Sequence, residues 1–130
     1  MTKQEHVAHW VKTASKDWKA VHDLYNTKNY MQALFWTHLV LEKLLKAHWI
    51  KDNEGNTPPK IHHLLYLAEK TKLSLSEEAI QFFYLMNQFQ LEGRYPDYLQ
   101  DLYKKYKSAQ TKKIIDQADI HRKCLLKKLL

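Results

Sequence analysis

The chain has 130 residues, a length that favours one domain whose hydrophobic core needs no disulfide or metal ion to stabilise it. It contains two glycines and three prolines, while Leu and Lys are its commonest residues, so it lacks the turn residues of a β-sheet protein. The formal net charge is +7, and the one cysteine excludes an internal disulfide. We therefore expect an all-α fold, with residues 1–130 forming a single domain.

Five segments carry apolar side chains at steps of three and four residues, the spacing that places them on one face of a helix. They predict helices over residues 5–27, 30–51, 61–70, 77–92 and 108–129. At the start of the fourth segment, Ser74 followed by Glu77 matches a capping box, and Ser76 is an alternative cap. Residues 98–107 are compatible with a further short helix capped by Asp97.

The second predicted helix is the most apolar of the five. Its apolar positions extend well beyond one stripe, which is typical of a helix at the centre of a bundle or at a subunit contact. The main stripe comprises Met31, Leu34, Phe35, His38, Leu41, Leu45 and Trp49. Charged residues interrupt this segment, so it would cross a bilayer only at high cost, and residues 1–10 contain no apolar run typical of a signal peptide. We expect no membrane partner and a cytoplasmic location.

A tight elbow is predicted after the fourth helix. Gly93 stands where a glycine allows the left-handed turn that ends many helices, and Pro96 blocks further helix. Arg94 lies in this elbow and is one of only two arginines among 21 basic residues. Its planar fork can hold a phosphate or carboxylate through two hydrogen bonds, or it can clamp backbone carbonyls or Asp97 to shape the elbow. Tyr95 and Tyr98 flank it, either as packing residues or as ligand contacts.

The excess positive charge lies at the end of the chain. Residues 1–103 contain 12 basic and 12 acidic residues, whereas residues 104–130 contain nine basic and two acidic ones. Such a segment is either a solvated helix face or a surface that binds nucleic acid. If it binds RNA, we expect the contacts to come from Lys112, Lys113, Lys123 and Lys127.

The remaining polar candidates are histidines and the cysteine. His38 lies on the apolar stripe of the second helix, where it is either a core residue or a titrating group of a site. Two residue pairs have helical ligand spacing, His6 with His9 and His38 with Glu42, but no second ligand pair accompanies them. There is no glycine-rich phosphate loop. We expect no metal and no cofactor, and we expect Cys124 to be packed beside Leu125 and Leu126.

Three segments resemble signatures of the HEPN family of helical bundles. Residues 38–47, HLVLEKLLKA, resemble the run Q-x-x-x-EK-x-LKA of that family's second helix, with His38 in place of the glutamine. Residues 62–67, HHLLYL, resemble the opening H-x-L-x-x-L of its third helix. Asn87, followed by RYPD at residues 94–97, resembles its N…RYP segment. The resemblance covers roughly residues 10–129 in the family's order.

This resemblance implies an up-and-down bundle of four to five helices that commonly forms symmetric dimers. It also implies a nucleotide-binding or interaction module that is partnered with a minimal nucleotidyltransferase, as in toxin–antitoxin pairs. Under this interpretation two groups of residues contact the ligand, one on the second helix and one at the elbow: His38, Glu42, Lys43 and Lys46, and Arg94, Tyr95, Asp97 and Tyr98. Tyr98 is also the nearer analogue of the tyrosine that is adenylylated in some family toxins.

The alternative function implied by the resemblance is that of a metal-independent ribonuclease. Ribonuclease members carry the motif R-x(4–6)-H near their last helices. Arg94 is followed by no histidine in that window, and the next histidine is His121. Cleavage of RNA needs a base for the 2′-hydroxyl and a cation for the phosphate. The elbow supplies the cation, and the sequence does not identify the base.

Overall fold

The computed structural model describes residues 1–129 as an all-α bundle, in which no residue forms a strand. Its elements are α1 (Lys3–Asn26), α2 (Tyr30–Asp52), α3 (Leu64–Glu69), α4 (Glu77–Met86), a 3-10 turn (Asn87–Phe89), α5 (Pro96–Lys105) and α6 (Ser108–Lys128). Within this range, no helix is both long enough and apolar enough to span a membrane. The predicted all-α class is therefore confirmed.

Helix α2 lies at the centre of the bundle and packs against α1, α3, α5, α6 and the 3-10 turn. Its predicted stripe is buried at Leu34, His38, Leu41 and Leu45, which are at most 1% exposed. Of the apolar positions beyond the stripe, Val40, Leu44 and Ile50 are buried and Leu39 is partly buried, because neighbours surround this helix. The breadth of its apolar surface is thus explained by packing inside one chain and gives no support to a subunit contact on α2.

Helix α1 runs along α2, and these two helices share the most extensive contact of the bundle. A capping box starts it: Thr2 Oγ1 accepts from the Glu5 amide at 3.1 Å, and Glu5 Oε1 accepts from the Thr2 amide at 3.3 Å. Two satisfied amides explain why α1 begins two residues before the predicted start. Its apolar spacing predicts an inner face that includes Ala14, Val21 and His22, but only Ala14 and Val21 are buried and His22 is exposed.

Helices α3 and α4 are shorter than predicted. Helix α3 begins at Leu64 because the side chain of Asn87, distant in sequence, accepts a hydrogen bond from the Leu64 amide at 3.1 Å. Helix α4 is capped by Ser76, whose Oγ accepts from the Ala79 amide at 3.1 Å, so the alternative cap is the one used. Helix α4 ends at Met86 rather than residue 92, and the chain tightens into the 3-10 turn.

The elbow follows as predicted. Gly93 has φ +72°, the left-handed conformation that glycine adopts without a steric penalty. Pro96 occupies the first turn of α5, where its missing N–H costs no hydrogen bond. Asp97 lies inside that first turn, and Tyr95 precedes the helix without a side-chain cap, so the predicted Asp97 cap is wrong.

Helix α6 closes the bundle against α2. Its apolar spacing predicts that Ile114, Ile115, Ala118, Leu125 and Leu129 face inward; the first four are buried and Leu129 is partly buried. His48 of α2 donates to the carbonyl oxygen of Leu125 at 2.8 Å and so fixes the two helices together. Cys124 is exposed, contrary to the prediction, because it lies about 100° around α6 from the buried Leu125.

Candidate functional site

Glu42 is the centre of a buried polar cluster on α2. The residue is 4% exposed, and a basic side chain lies within hydrogen-bonding distance of each of its carboxylate oxygens. The Lys46 ammonium donates to Oε2 at 3.0 Å, and Nδ1 of His62 lies 3.1 Å from Oε1. The i,i+4 spacing of Glu42 and Lys46 predicts an ion pair, which is present and is buried, because Lys46 is 8% exposed and lies over the ring of Trp10.

His38 is fully buried beside this carboxylate. Its Nδ1 lies 3.8 Å from Glu42 Oε1, beyond hydrogen-bonding distance, and neither ring nitrogen has a hydrogen-bond partner within residues 1–129. Burial lowers the pKa of His38 from 6.5 to about 4, against the opposing effect of Glu42. The ring is thus neutral at physiological pH and is shielded from any ligand in solution.

Lys43 is directed toward α1 instead of the cluster. Its ammonium forms an ion pair with the buried side chain of Asp17. Asp17 is acidic, so apolar spacing does not identify it as a buried residue, although it lies three residues after the buried Ala14. Lys43 therefore joins α1 to α2.

The start of α3 carries two adjacent histidines with different surroundings. The His62 side chain is 48% exposed and interacts with Glu42. His63 stacks on Tyr66 with ring centroids 4.1 Å apart, and its Nε2 lies 3.2 Å from Nδ2 of Asn87. Asn87 thus holds both the His63 ring and the Leu64 amide. His63 anchors the α3 start to the 3-10 turn, while His62 remains accessible.

The elbow presents Arg94 to solvent in a defined orientation. Its Nε donates to the carbonyl oxygen of Gln90 at 3.0 Å, and its guanidinium carbon lies 4.7 Å from the centroid of the Tyr98 ring. Tyr98 is itself fixed, since its hydroxyl donates to the carbonyl oxygen of Gln88 at 2.7 Å. Of the two structural roles considered for Arg94, clamping a carbonyl is present, and within residues 1–129 no ion pair with Asp97 is found.

The two groups of predicted ligand residues lie in separate places. Within residues 1–129, no hydrogen bond or ion pair joins Arg94, Tyr95, Asp97 or Tyr98 to the Glu42 cluster. They are linked only indirectly along the chain. The Asn87 side chain accepts from the Leu64 amide at the start of α3, and the carbonyl of the next residue, Gln88, accepts from the Tyr98 hydroxyl. Tyr95 is 82% exposed and Asp97 is exposed, so both are accessible at the elbow.

The predicted basic face on α6 is exposed at all four lysines, Lys112, Lys113, Lys123 and Lys127. Two of the four are ion-paired on the same helix: Lys112 with Asp116 at 2.9 Å, and Lys123 with Asp119 at 3.0 Å. The hydrogen bond to Asp116 raises the pKa of Lys112 above its ordinary value. These pairs reduce the local positive charge that the sequence count indicates.

His121 takes part in packing on α6. Its ring stacks on Phe82 with centroids 4.8 Å apart and meets Phe83 at 5.7 Å, and burial lowers its pKa from 6.5. It therefore serves the contact between α4 and α6. Within residues 1–129, no group of three or more His, Cys, Asp or Glu side chains is arranged to hold a metal ion.

A separate apolar groove of about 640 Å³ lies between the start of α1 and the end of α6. At its edge, the Lys3 ammonium contacts four oxygens at the end of α2 and in the following loop, at 2.6–3.0 Å: the carbonyls of Ile50, Asn53 and Gly55 and the side chain of Asn56. Of the predicted site residues, only Lys127 lines this groove.

The family follows from a comparison with known protein families. Residues 7–127 match the family model described as HEPN domain. The chain belongs to the HEPN family. No curated protein and no solved structure matches it.

HEPN membership identifies the chain as a helical module of a family linked to nucleotides and RNA, and HEPN domains commonly dimerise. The three segments that resemble the family's signatures are neighbours in this fold. Glu42 of the first contacts His62 of the second, and Asn87 of the third contacts His63. The sequence indicated each segment separately but did not indicate these contacts.

Proposed function

We propose that this HEPN domain is a homodimeric nucleotide-binding or interaction module that works with a minimal nucleotidyltransferase, in the manner of a toxin–antitoxin pair. The observation that supports it best is the exposed, oriented Arg94. Its Nε donates to the Gln90 carbonyl, and its guanidinium lies over the Tyr98 ring, so the side chain is held in one orientation. Within residues 1–129, its terminal amino groups have no hydrogen-bond acceptor, so they are available to a phosphate group.

A phosphate bound there gains directed hydrogen bonds at small entropic cost, because the guanidinium is already held in place. Lysine at this position would keep the charge but lose both the fork and the stacking on Tyr98. We therefore expect Arg94→Lys to weaken binding of ATP at least tenfold while the melting temperature stays near that of the wild type.

The matched control is Arg122→Lys, the only other arginine. Arg122 also lies over an aromatic ring, that of Trp18 at 4.8 Å, but its side chain is paired with Asp119 at 2.7 Å. Calorimetric titration with ATP, together with thermal melts with and without ATP, distinguishes the two roles of Arg94. Lower melting of Arg94→Lys with unchanged ATP affinity would make the elbow purely structural and overturn the proposal.

The dimer and partner are tested separately. Sedimentation at tens of micromolar should give twice the 15.6 kDa chain mass. A species of 15.6 kDa alone would remove the dimer from the proposal. A nucleotidyltransferase encoded by the neighbouring gene, co-purified with the tagged domain, should be released by Arg94→Lys if the elbow forms the contact.

Metal-independent cleavage of RNA is the second candidate function. It is favoured by one observation, a half-exposed imidazole oriented by a buried carboxylate, the pair His62 and Glu42.

RNA binding by the basic face should fall steeply with salt because bound counterions are released. Neutralising Lys112, Lys113, Lys123 and Lys127 together should weaken RNA binding at low salt, and unchanged affinity would exclude this face.

A further inference from the structure

The apolar groove between α1 and α6 exists because both helices pack on α2 but make few contacts with each other. Beside the end of α2 they leave a gap of about 640 Å³. Its apolar lining consists of Val7, Ala8 and Val11 of α1 and Leu126 and Leu129 of α6. Four of these residues are partly buried and Ala8 is exposed, so the groove has an apolar floor and is open to solvent.

The lining residues are spaced to receive a helix. Val7 and Val11 are one turn apart on α1, and Leu126 and Leu129 are one turn apart on α6, so each wall is a row of side chains along its helix. Two such rows with a gap between them form a surface into which the side chains of a third helix can insert. An acyl chain in an open groove would keep one side in water, whereas an amphipathic helix needs to bury only its apolar face.

The charged residues that line the groove are all lysines, namely Lys3, Lys51 and Lys127. The Lys3 ammonium is held by the four oxygens at the end of α2, and Lys51 donates to the carbonyl oxygen of Lys128 at 2.9 Å. Uncharged oxygens leave the net charge of both lysines in place, and Lys127 is exposed. The charge that complements this edge is therefore negative.

The same charges argue against a second copy of the chain as the occupant. In a symmetric dimer the same patch meets itself, so the lysines of one copy would face the lysines of the other. Within residues 1–129, the lining contains no Asp or Glu that could offset this repulsion. A partner that brings carboxylates meets attraction instead.

We propose that this groove is the docking site for an acidic amphipathic helix of a partner protein. Apolar side chains of that helix, at spacing i, i+3, i+4 and i+7, insert between α1 and α6. Asp or Glu residues beside them face Lys51 and Lys127. No residue of the elbow lines the groove, so docking of the helix does not depend on nucleotide binding.

The test uses the full chain and fluorescein-labelled peptides of about 16 residues, or about 24 Å of helix. The acidic peptide carries Leu at the spacing given above with Glu beside each Leu, and the basic peptide has Lys in place of every Glu. Fluorescence anisotropy at low salt should show that the acidic peptide binds at least about tenfold more tightly than the basic one. The difference should shrink as salt screens the charges.

Substitutions locate the bound peptide. Ala8→Glu puts a carboxylate into the groove at an exposed helix position, so the melting temperature should be kept while the affinity for the acidic peptide falls at least about tenfold. The matched control is Ala109→Glu, at an exposed position near the opposite end of α6, which should bind as the wild type does. Lys127→Glu should weaken the acidic peptide about two- to fivefold and strengthen the basic one, and Lys113→Glu, outside the groove, should have less effect.

Equal affinities of the two peptides for the wild type, or equal affinities of Ala8→Glu and Ala109→Glu for the acidic peptide, overturn the proposal. A wild-type dimer that Ala8→Glu alone converts to monomers in sedimentation also overturns it, because the groove would then join two copies. Dodecanoate that binds in place of the peptide and is lost in Ala8→Glu would make the groove a fatty-acid site instead. ATP affinity should be the same in Ala8→Glu and wild type, so a failed peptide test leaves the function proposed for Arg94 standing.

Discussion

Acidification should destabilise the protein through His38. Burial lowers its pKa from 6.5 to about 4, so below pH 6.5 the unfolded chain takes up a proton at this residue and the folded chain does not. The stability due to the neutral ring is thus fully present above pH 6.5 and is lost as the pH falls toward 4. Between pH 7.5 and 5 this linkage amounts to about 2 kcal/mol, at about 1.4 kcal/mol per pH unit below 6.5.

Urea unfolding of the wild type and His38→Gln at pH 7.5 and pH 5 measures this quantity. Glutamine does not titrate, and the other histidines with lowered pKa, His48 and His121, are common to both proteins and cancel in the comparison. The wild type should lose about 2 kcal/mol more than the variant between the two pH values. Equal losses in the two proteins would refute the burial of a neutral His38.

Three further changes test the structure by urea unfolding. Asn87→Ala leaves the Leu64 amide without its acceptor and should cost about 1–3 kcal/mol, whereas Glu92→Ala at an exposed position of the next loop should cost little. Ser76→Ala removes the α4 cap and should cost about 1 kcal/mol, and Ser74→Ala should be neutral if Ser76 alone is the cap. Lys3→Met keeps the side-chain length but removes a charged donor to four oxygens, so it should speed amide exchange at the end of α2 more than Lys12→Met does.

The sequence predicted the long helices well because their evidence is local. In α2, apolar side chains recur at helical spacing over many turns, so its predicted end at residue 51 differs by one residue from the observed end at Asp52. The start of α3 was less accurate because it depends on Asn87, whose side chain accepts from an amide 23 residues earlier in the chain. Periodicity carries no information about such distant contacts.

The candidate site was predicted in part for the same reason. His38, Glu42 and Lys46 were identified from helical spacing, and they do lie together. His62 was missed as their partner because it lies 20 residues after Glu42, beyond a loop. Cys124 shows the opposite error: its apolar sequence neighbours suggested burial, but the helical register relative to Ala118 places it in solvent.

The most direct test of the central claim is the NMR signal of the Arg94 Nε–H group during titration with ATP. We expect this signal and the backbone amides of Gly93 and Tyr98 to shift with ATP concentration, while the Nε–H signal of Arg122 stays in place. Shifts confined to other parts of the chain, with the Arg94 signal unchanged at saturating ATP, would contradict the claim that the elbow binds a nucleotide phosphate.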